Sequence, residues 1–155
     1  MELRKATEND LPALHRLLRQ VLQVHHRGRP DLFRSGTEKY TDAELRAILR
    51  DEERPVFVAV RGGEVCGYAF CIFRSHPADN ILTDVKTLYL DDLCVDENAR
   101  GQGVGRALLD HVRAFAKESG CYNLTLNVWA CNEGAMRFYE SCGMQVQKIG
   151  METIL

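Results

Sequence analysis

Leu11, Leu14, Leu18, Val21 and Leu22 recur at helical spacing before the chain turns polar. Residues three and four apart share one helix face, so this run predicts an amphipathic helix. Thr7-Glu8-Asn9-Asp10 supplies its start, with a threonine cap and an acid three residues on, and Gly28 with Arg29-Pro30 marks its end. A second capping box, Thr41-Asp42-Ala43-Glu44, opens a short helix carrying Leu45, Ile48 and Leu49, which stops before Pro55. Met1 to Ala6 alternates and predicts a short edge strand. After Pro55 the period changes. Val56 to Val60 and Val65 to Phe73 are β-rich runs joined by Arg61-Gly62-Gly63-Glu64, which signals a hairpin. The loop Ser75 to Asn80 leads to a third long strand, from about Thr83 to Val95. A helix follows from about Gly103, with Val104, Leu108, Val112 and Phe115 on one face. Leu124 to Trp129 predicts a strand and Asn132 to Ser141 a helix, with Gly143 placed to end it in a left-handed conformation. Val146 to Leu155 predicts a final strand, interrupted at Gly150. The order β-α-α-β-β-β-α-β-α-β predicts a mixed sheet with helices packed on its faces.

A length of 155 residues fits one domain with one core, spanning 1–155. Apolar residues make up 45% of the chain and charged residues 27%, which points to a soluble globular class. The formal net charge of −2 provides no basic footprint, so nucleic acid is not an expected partner. No apolar run approaches the roughly 18 residues of a membrane span, and the opening MELRKATEND has no apolar stretch of signal-peptide type. The expectation is a cytoplasmic protein with no membrane partner. Cys66, Cys71, Cys94, Cys121, Cys131 and Cys142 form no C-x-x-C pair and no zinc-like spacing with histidine. They read as structural thiols, and no metal is expected.

Arg100-Gly101-Gln102-Gly103-Val104-Gly105 lies between a predicted strand and a predicted helix. A glycine-rich turn at a helix start exposes backbone N–H groups, and the helix end adds partial positive charge. The chemistry this favours is anion binding, with pyrophosphate as the candidate. The dinucleotide pattern fails, because its third glycine would fall on Arg106 and its acid near Cys121. The Walker pattern fails because no Gly-Lys-Ser/Thr follows.

Arg100-x-x-Gly103-x-Gly105 resembles the R/Q-x-x-G-x-G/A motif of the Gcn5-related N-acetyltransferases, the GNAT family. Asn132-Glu133-Gly134-Ala135-Met136-Arg137-Phe138-Tyr139-Glu140-Ser141-Cys142-Gly143-Met144 resembles the family's N-x-x-A-x-x-F-Y-x-x-x-G-F segment, with methionine replacing the last phenylalanine. Leu93-Cys94-Val95-Asp96 looks like its pantetheine-binding strand. The resemblance implies the GNAT fold, an α/β (α+β) domain with a mixed, mostly antiparallel central sheet flanked by helices. It implies acetyl-coenzyme A as co-substrate. Arg100 and Gly101 open the motif, and Gln102, Gly103, Val104, Gly105 and Arg106 would place N–H groups around the pyrophosphate. The backbone of Leu93, Cys94 and Val95 would pair with pantetheine, with the N–H of Leu93 the candidate to polarise the thioester carbonyl. Such preorganised donors contribute about 3–4 kcal/mol each. Asn132 would face the pantetheine arm, and Tyr139 would be the general acid that protonates the departing sulfur.

Tyr89-Leu90-Asp91-Asp92-Leu93 is similar to Y-L-E-D-F of the polyamine acetyltransferases, a branch of the same family. Carried over, Asp91 is the base and Asp92 binds the cationic substrate. On a regular strand these two acids point to opposite faces, with Asp91 sharing a face with Tyr89 and Leu93. The stretch His25 to Arg34 reads as a loop anchored by Leu32 and Phe33, in a region that borders the acceptor site in this fold. Trp129 reads as a core or strand-end residue. The expected activity is acetyl transfer to a primary amine of a small molecule or peptide by direct attack in a ternary complex. The alternative is a non-catalytic acyl-coenzyme A sensor or scaffold. Family members are often dimers through the last strand, so a homodimer through Val146 to Leu155 is also expected.

Overall fold

The computed structural model describes residues 1–155. Its elements are β1 (Glu2–Lys5), a 3-10 turn at Glu8–Asp10, α1 (Leu11–Gly28), α2 (Asp42–Arg50), β2 (Val56–Arg61), β3 (Glu64–Arg74), β4 (Thr87–Val95), a second 3-10 turn at Glu97–Ala99, α3 (Val104–Glu118), β5 (Asn123–Leu126) and α4 (Glu133–Ser141). The five strands form one sheet in chain order, antiparallel from β1 to β4 and parallel between β4 and β5. The mixed, mostly antiparallel sheet flanked by helices is therefore the observed architecture.

Helices cover both faces. Leu14, Leu17 and Leu18 of α1, with Leu45 and Ile48 of α2, pack on Val56, Val58, Tyr68 and Phe70. Leu108, Leu109 and Val112 of α3 pack on Phe57, Ala59, Ala69, Cys71, Leu88 and Leu90 of the other face. The alternation along β2 and β3 feeds the two layers in turn, as a strand pleat requires. The box at Thr41 forms as expected: Glu44 N–H donates to Thr41 Oγ1 at 3.2 Å, and Thr41 N–H to Glu44 Oε2 at 2.7 Å. At the head of α1 the Asp10 carboxylate accepts from Thr7 N–H at 2.8 Å and pairs with Arg4 at 2.8 Å. No helix is long and apolar enough to cross a membrane.

Three features depart from the sequence reading. The predicted last strand does not form. Residues 145–155 carry no regular structure, and Val146, Ile149, Met151, Ile154 and Leu155 are exposed. The outer edges of β1 and β5 are open, but the segment pairs with neither; Glu152 is tied instead to Arg29, and Gly150 interrupts the run. Second, β5 ends at Leu126 rather than Trp129, so β4 has no strand partner on that side beyond Leu90. Third, Phe70 lies opposite Asp92 and Cys71 opposite Leu90, which makes Asp91 the extra residue of a β-bulge. The bulge reverses the pleat. Leu88 and Leu90 face α3, whereas Asp92 and Cys94 face the α1–α2 layer beside Tyr68 and Phe70.

Candidate active site

The parting of β4 from β5, the bulge at Asp91 and the head of α3 lie along one continuous stretch of chain, from Leu90 to Arg106. Asp96 ties its middle down. Its Oδ1 accepts from Asn98 N–H at 3.0 Å, Arg16 of α1 pairs with its other oxygen, and Arg16 also donates to Val65 O at 3.0 Å. The backbone donor from Asn98, with Arg16 alongside, holds the Asp96 carboxyl below its usual range.

Gly101 and Gly103 take positive φ, 73° and 79°, a conformation that carries a steric cost for any residue with a Cβ. Gly103 is the N-cap of α3 and offers no side chain to the helix end. The first-turn N–H groups of Val104, Gly105 and Arg106 have no intrahelical acceptor by geometry, and no side chain caps them. They form an uncapped, partially positive end suited to a phosphate. Gly105 has a different role. A Cβ there would lie 3.2 Å from Phe138 Cζ and 3.5 Å from Val95 Cγ2, so its glycine permits α3, α4 and β4 to pack closely.

The motif's polar side chains are engaged with the protein. Gln102 Nε2 donates to Asn98 O at 3.1 Å, Arg100 Nε to Val95 O at 3.3 Å and Arg106 to Ser141 O at 3.1 Å. The donors left for a cofactor's phosphates are the backbone N–H groups of the helix start and the remaining guanidinium N–H groups of Arg100 and Arg106. Beside them, Leu93, Cys94 and Val95 present the edge of β4 that β5 leaves unpaired. An uncapped helix end next to an open strand edge fits a long anionic thioester with amide groups along its arm. Asn132 Oδ1 accepts from Ala135 N–H at 3.1 Å and so caps α4.

The two acids do not diverge as a regular strand would make them. Because of the bulge, both reach one cation: Lys39 Nζ lies 3.5 Å from Asp91 Oδ2 and 3.4 Å from Asp92 Oδ2. Asp91 therefore does not share its face with Leu93, which continues the α3-facing row of Leu90. Asp92 is buried and accepts from the hydroxyl of fully buried Tyr68 at 3.1 Å. Burial pushes its carboxyl up, against the opposing pull of Lys39 and the Tyr68 hydrogen bond. Burial pulls the Lys39 ammonium down, but Asp92, with Tyr40 and Asp91, outweighs it and holds the amine charged.

Tyr139 sits half-buried on α4 against Phe138, their ring centroids 5.1 Å apart. Burial, reinforced by the negative charge of Asp92, drives its phenol well above the usual range. The proton is firmly held until a stronger base appears next to it. Burial also pushes the thiols of Cys71 and Cys94 up to about 12, which leaves them protonated and poor nucleophiles. No group of three or more His, Cys, Asp or Glu side chains is placed to hold a metal ion.

Around the acids the α1–α2 connection forms an aromatic rim. His25 packs on Phe33 at 4.9 Å and Phe33 on the edge of Trp129 at 5.2 Å, while His26 Nδ1 lies 2.7 Å from Phe33 O. Phe33 thus anchors this loop. Leu32 does not, being 51% exposed, and Trp129 is a half-open rim residue rather than core. Val24, His25, Gly28, Cys131 and Asn132 line a cleft of about 330 Å³ next to the rim. Lys39 and Tyr68 were not singled out by the sequence reading. Tyr68 sits in a strand whose pattern signals only core, and Lys39 sits in a polar loop whose approach to β4 is tertiary.

Residues 18–144 match the model of the acetyltransferase (GNAT) family. The chain is 28% identical over 145 residues to the uncharacterized N-acetyltransferase YhfO of Bacillus subtilis, covering 94% of this chain and 90% of that protein. It is 33% identical over 117 residues to the peptidyl-lysine N-acetyltransferase YjaB of Escherichia coli, covering 72% and 67%. The crystal structure of a tetramutant of the BH1408 protein from Bacillus halodurans superposes with a TM-score of 0.95 at 35% identity, over the whole of both chains. The aminoglycoside N-acetyltransferase AAC(6')-Iy, solved with CoA, shares the fold at a TM-score of 0.75 and 17% identity, over 99% and 98% of the two chains. Glycine-rich helix start, open strand edge and family match agree: the chain belongs to the GNAT acetyltransferase family and is an acetyl-CoA-dependent N-acetyltransferase.

Proposed function

We propose that the protein transfers the acetyl group of acetyl-coenzyme A directly to a primary amine of a small molecule or peptide. The observation that carries this reading is the convergence of Asp91 and Asp92 on an ammonium group, with the Tyr139 phenol within electrostatic reach of Asp92. Acetyl-coenzyme A supplies the activated thioester. The N–H groups of Gly103, Val104, Gly105 and Arg106 hold its pyrophosphate, with Arg100, Gly101 and Gln102 shaping the loop, and the free edge of Leu93, Cys94 and Val95 pairs with its pantetheine. The amide side of Asn132, left over from capping α4, faces the same arm.

Asp92, fixed by Tyr68, anchors the acceptor's ammonium. Asp91 is the base. Its side chain is 29% exposed, so a proton taken from the amine has a route to water, which the 7% exposed Asp92 lacks. Alkylammonium groups have pKa values of about 10, so this step is uphill and a water relay assists it. Tyr139 Oη donates a hydrogen bond to the departing sulfur and passes its proton there as the C–S bond breaks; a thiolate is a weaker base than this buried phenolate, so the transfer is uphill and is completed as the phenolate regains a proton from water.

Six free thiols fit a reducing, cytoplasmic compartment. The exposed apolar side chains of Val146, Ile149, Met151 and Ile154 make the terminal segment the contact of a homodimer. Residues 1–155 act as one domain, since both cores share one sheet.

The test is thiol release from acetyl-coenzyme A over a panel of amines, with Tyr139→Phe beside the parent. The variant keeps the ring, and its transfer rate is expected to fall by roughly 10²–10⁴-fold, the range for a lost general acid. Full activity in Tyr139→Phe removes the acid role. Binding of the thioester without release on any amine supports instead a sensor or scaffold.

A further inference from the structure

We propose that Lys39 is a tethered occupant of the acceptor's ammonium seat, which the amine substrate must displace, so that Lys39 decides how tightly and with what charge an acceptor binds. The inference rests on the reading of Asp91 and Asp92 as the amine-binding pair.

Three observations carry it. First, Lys39 Nζ contacts one oxygen of each acid, at 3.5 and 3.4 Å, which is where an acceptor ammonium bound by both acids must sit. Second, the hold is loose. Close charge-assisted N–H···O bonds are about 2.7–2.9 Å long, and neither contact reaches that range. By contrast, Asp92 is bonded by Tyr68 from its own sheet and stays fixed. Third, the side chain has solvent to withdraw into, being 38% exposed. Lys39 lies in the segment between α1 and α2, which has no helix or strand, and residues 34–39 are all exposed. The Tyr40 ring stands beside it, with Nζ 5.3 Å from the centroid, and no short hydrogen bond or close ion pair fixes the ammonium in this seat.

The charge count then sets the acceptor class. Two carboxylates and one ammonium leave a single net negative charge. With Lys39 close by, the site neutralises one positive charge, and a second on the acceptor meets Lys39 as a like charge. The acceptor favoured by the intact chain is an amine with one positive charge near the reacting nitrogen. A di- or polyamine requires Lys39 to withdraw fully, which separates this site from the polyamine chemistry that Tyr89 to Leu93 resembles.

Occupancy by the chain's own group lowers the competent fraction and raises the apparent constant in proportion. If Lys39 fills the seat about nine times in ten, Lys39→Met lowers KM about tenfold. The experiment measures KM and kcat by thiol release with butylamine and 1,4-diaminobutane for the parent, Lys39→Met and Lys39→Arg, each first checked for an unchanged melting transition. The expected result is a KM lower in Lys39→Met for butylamine, lower by a larger factor for the diamine, and returned toward the parent value in Lys39→Arg. Turnover that is absent in the parent but present in Lys39→Met supports the proposal equally. KM unchanged or raised in Lys39→Met, with turnover intact, overturns the role of Lys39 and leaves acetyl transfer standing. No turnover on either amine in any of the three proteins, with the thioester bound, overturns the amine-acceptor reading and this proposal with it.

Discussion

Replacing Tyr68 by Phe removes one oxygen from a fully buried ring and keeps its edge-to-face packing on Phe70, at 4.9 Å. That oxygen donates to Asp92 Oδ2 at 3.1 Å, and Asp92 has almost no water contact to replace it. A hydrogen bond to a buried charged group contributes about 1.5–3 kcal/mol, and we take about 2. Losing that bond penalises the ionised form, so the Asp92 carboxyl rises further. Burial already holds this carboxyl above its unfolded value, so the folded state binds the proton more tightly. The stability linked to this group is full below the unfolded carboxylate range and drains as pH climbs through the folded value. In the variant that drain continues to higher pH, so the penalty grows with pH. It is small near about pH 4 and reaches about 2 kcal/mol near about pH 8, or about 4–8 °C in Tm for a chain of this size. Scanning calorimetry at the two pH values measures it, and the acidic limb of kcat/KM is expected to move up in the variant. An equal loss of Tm at both pH values would refute ionised Asp92 as the partner. No loss at either would remove the hydrogen bond from the argument.

Gly103→Val forces a β-branched residue into a φ of 79°, at a cost of about 1–2 kcal/mol, and reshapes the uncapped end of α3. Titration calorimetry is expected to show coenzyme A affinity reduced beyond detection in a folded protein, and an unchanged affinity rejects the phosphate seat. For assembly, light scattering at micromolar concentration is expected to give a dimer mass for the chain and a monomer mass after removal of residues 146–155. A monomer mass before the removal counts against the homodimer.

What was legible in the sequence was what short-range physics decides. The box at Thr41 needs only Glu44, three residues away, and it forms. Gly143 ends α4 with a φ of 83°, as its place after Cys142 predicts. The loop from Arg100 to Gly105 combines local glycine geometry with the start of one helix, and both are readable without the rest of the fold. The remainder depends on distant chain. Asp91 is a bulge only because Phe70 and Cys71 skip it, and nothing in Leu90-Asp91-Asp92 announces that. Leu124 to Trp129 has strand propensity on both sides of Asn127, yet its last three residues join no ladder with β4. Val146 to Leu155 illustrates the same point, since its strand pattern does not say whether the segment reaches the open edge of β5, and it does not.

The short pairing of β4 with β5 has a mechanical meaning. Only four residue pairs, from Thr87 with Asn123 to Leu90 with Leu126, join the two strands, stitched by Thr87 Oγ1 to Asn123 Oδ1 at 2.6 Å and by Asn127 Nδ2 to the Tyr89 hydroxyl at 3.2 Å. Asp91 and Asp92 stand on the β1–β4 slab just past this joint, while Tyr139 rides on the β5–α4 arm. The offset between Asp91 and Tyr139 therefore depends in part on a joint that contains neither of them, together with the contacts of α4 on α3. Side chains such as Thr87 and Asn123 act as its pins, and past them the two strands part like a jaw.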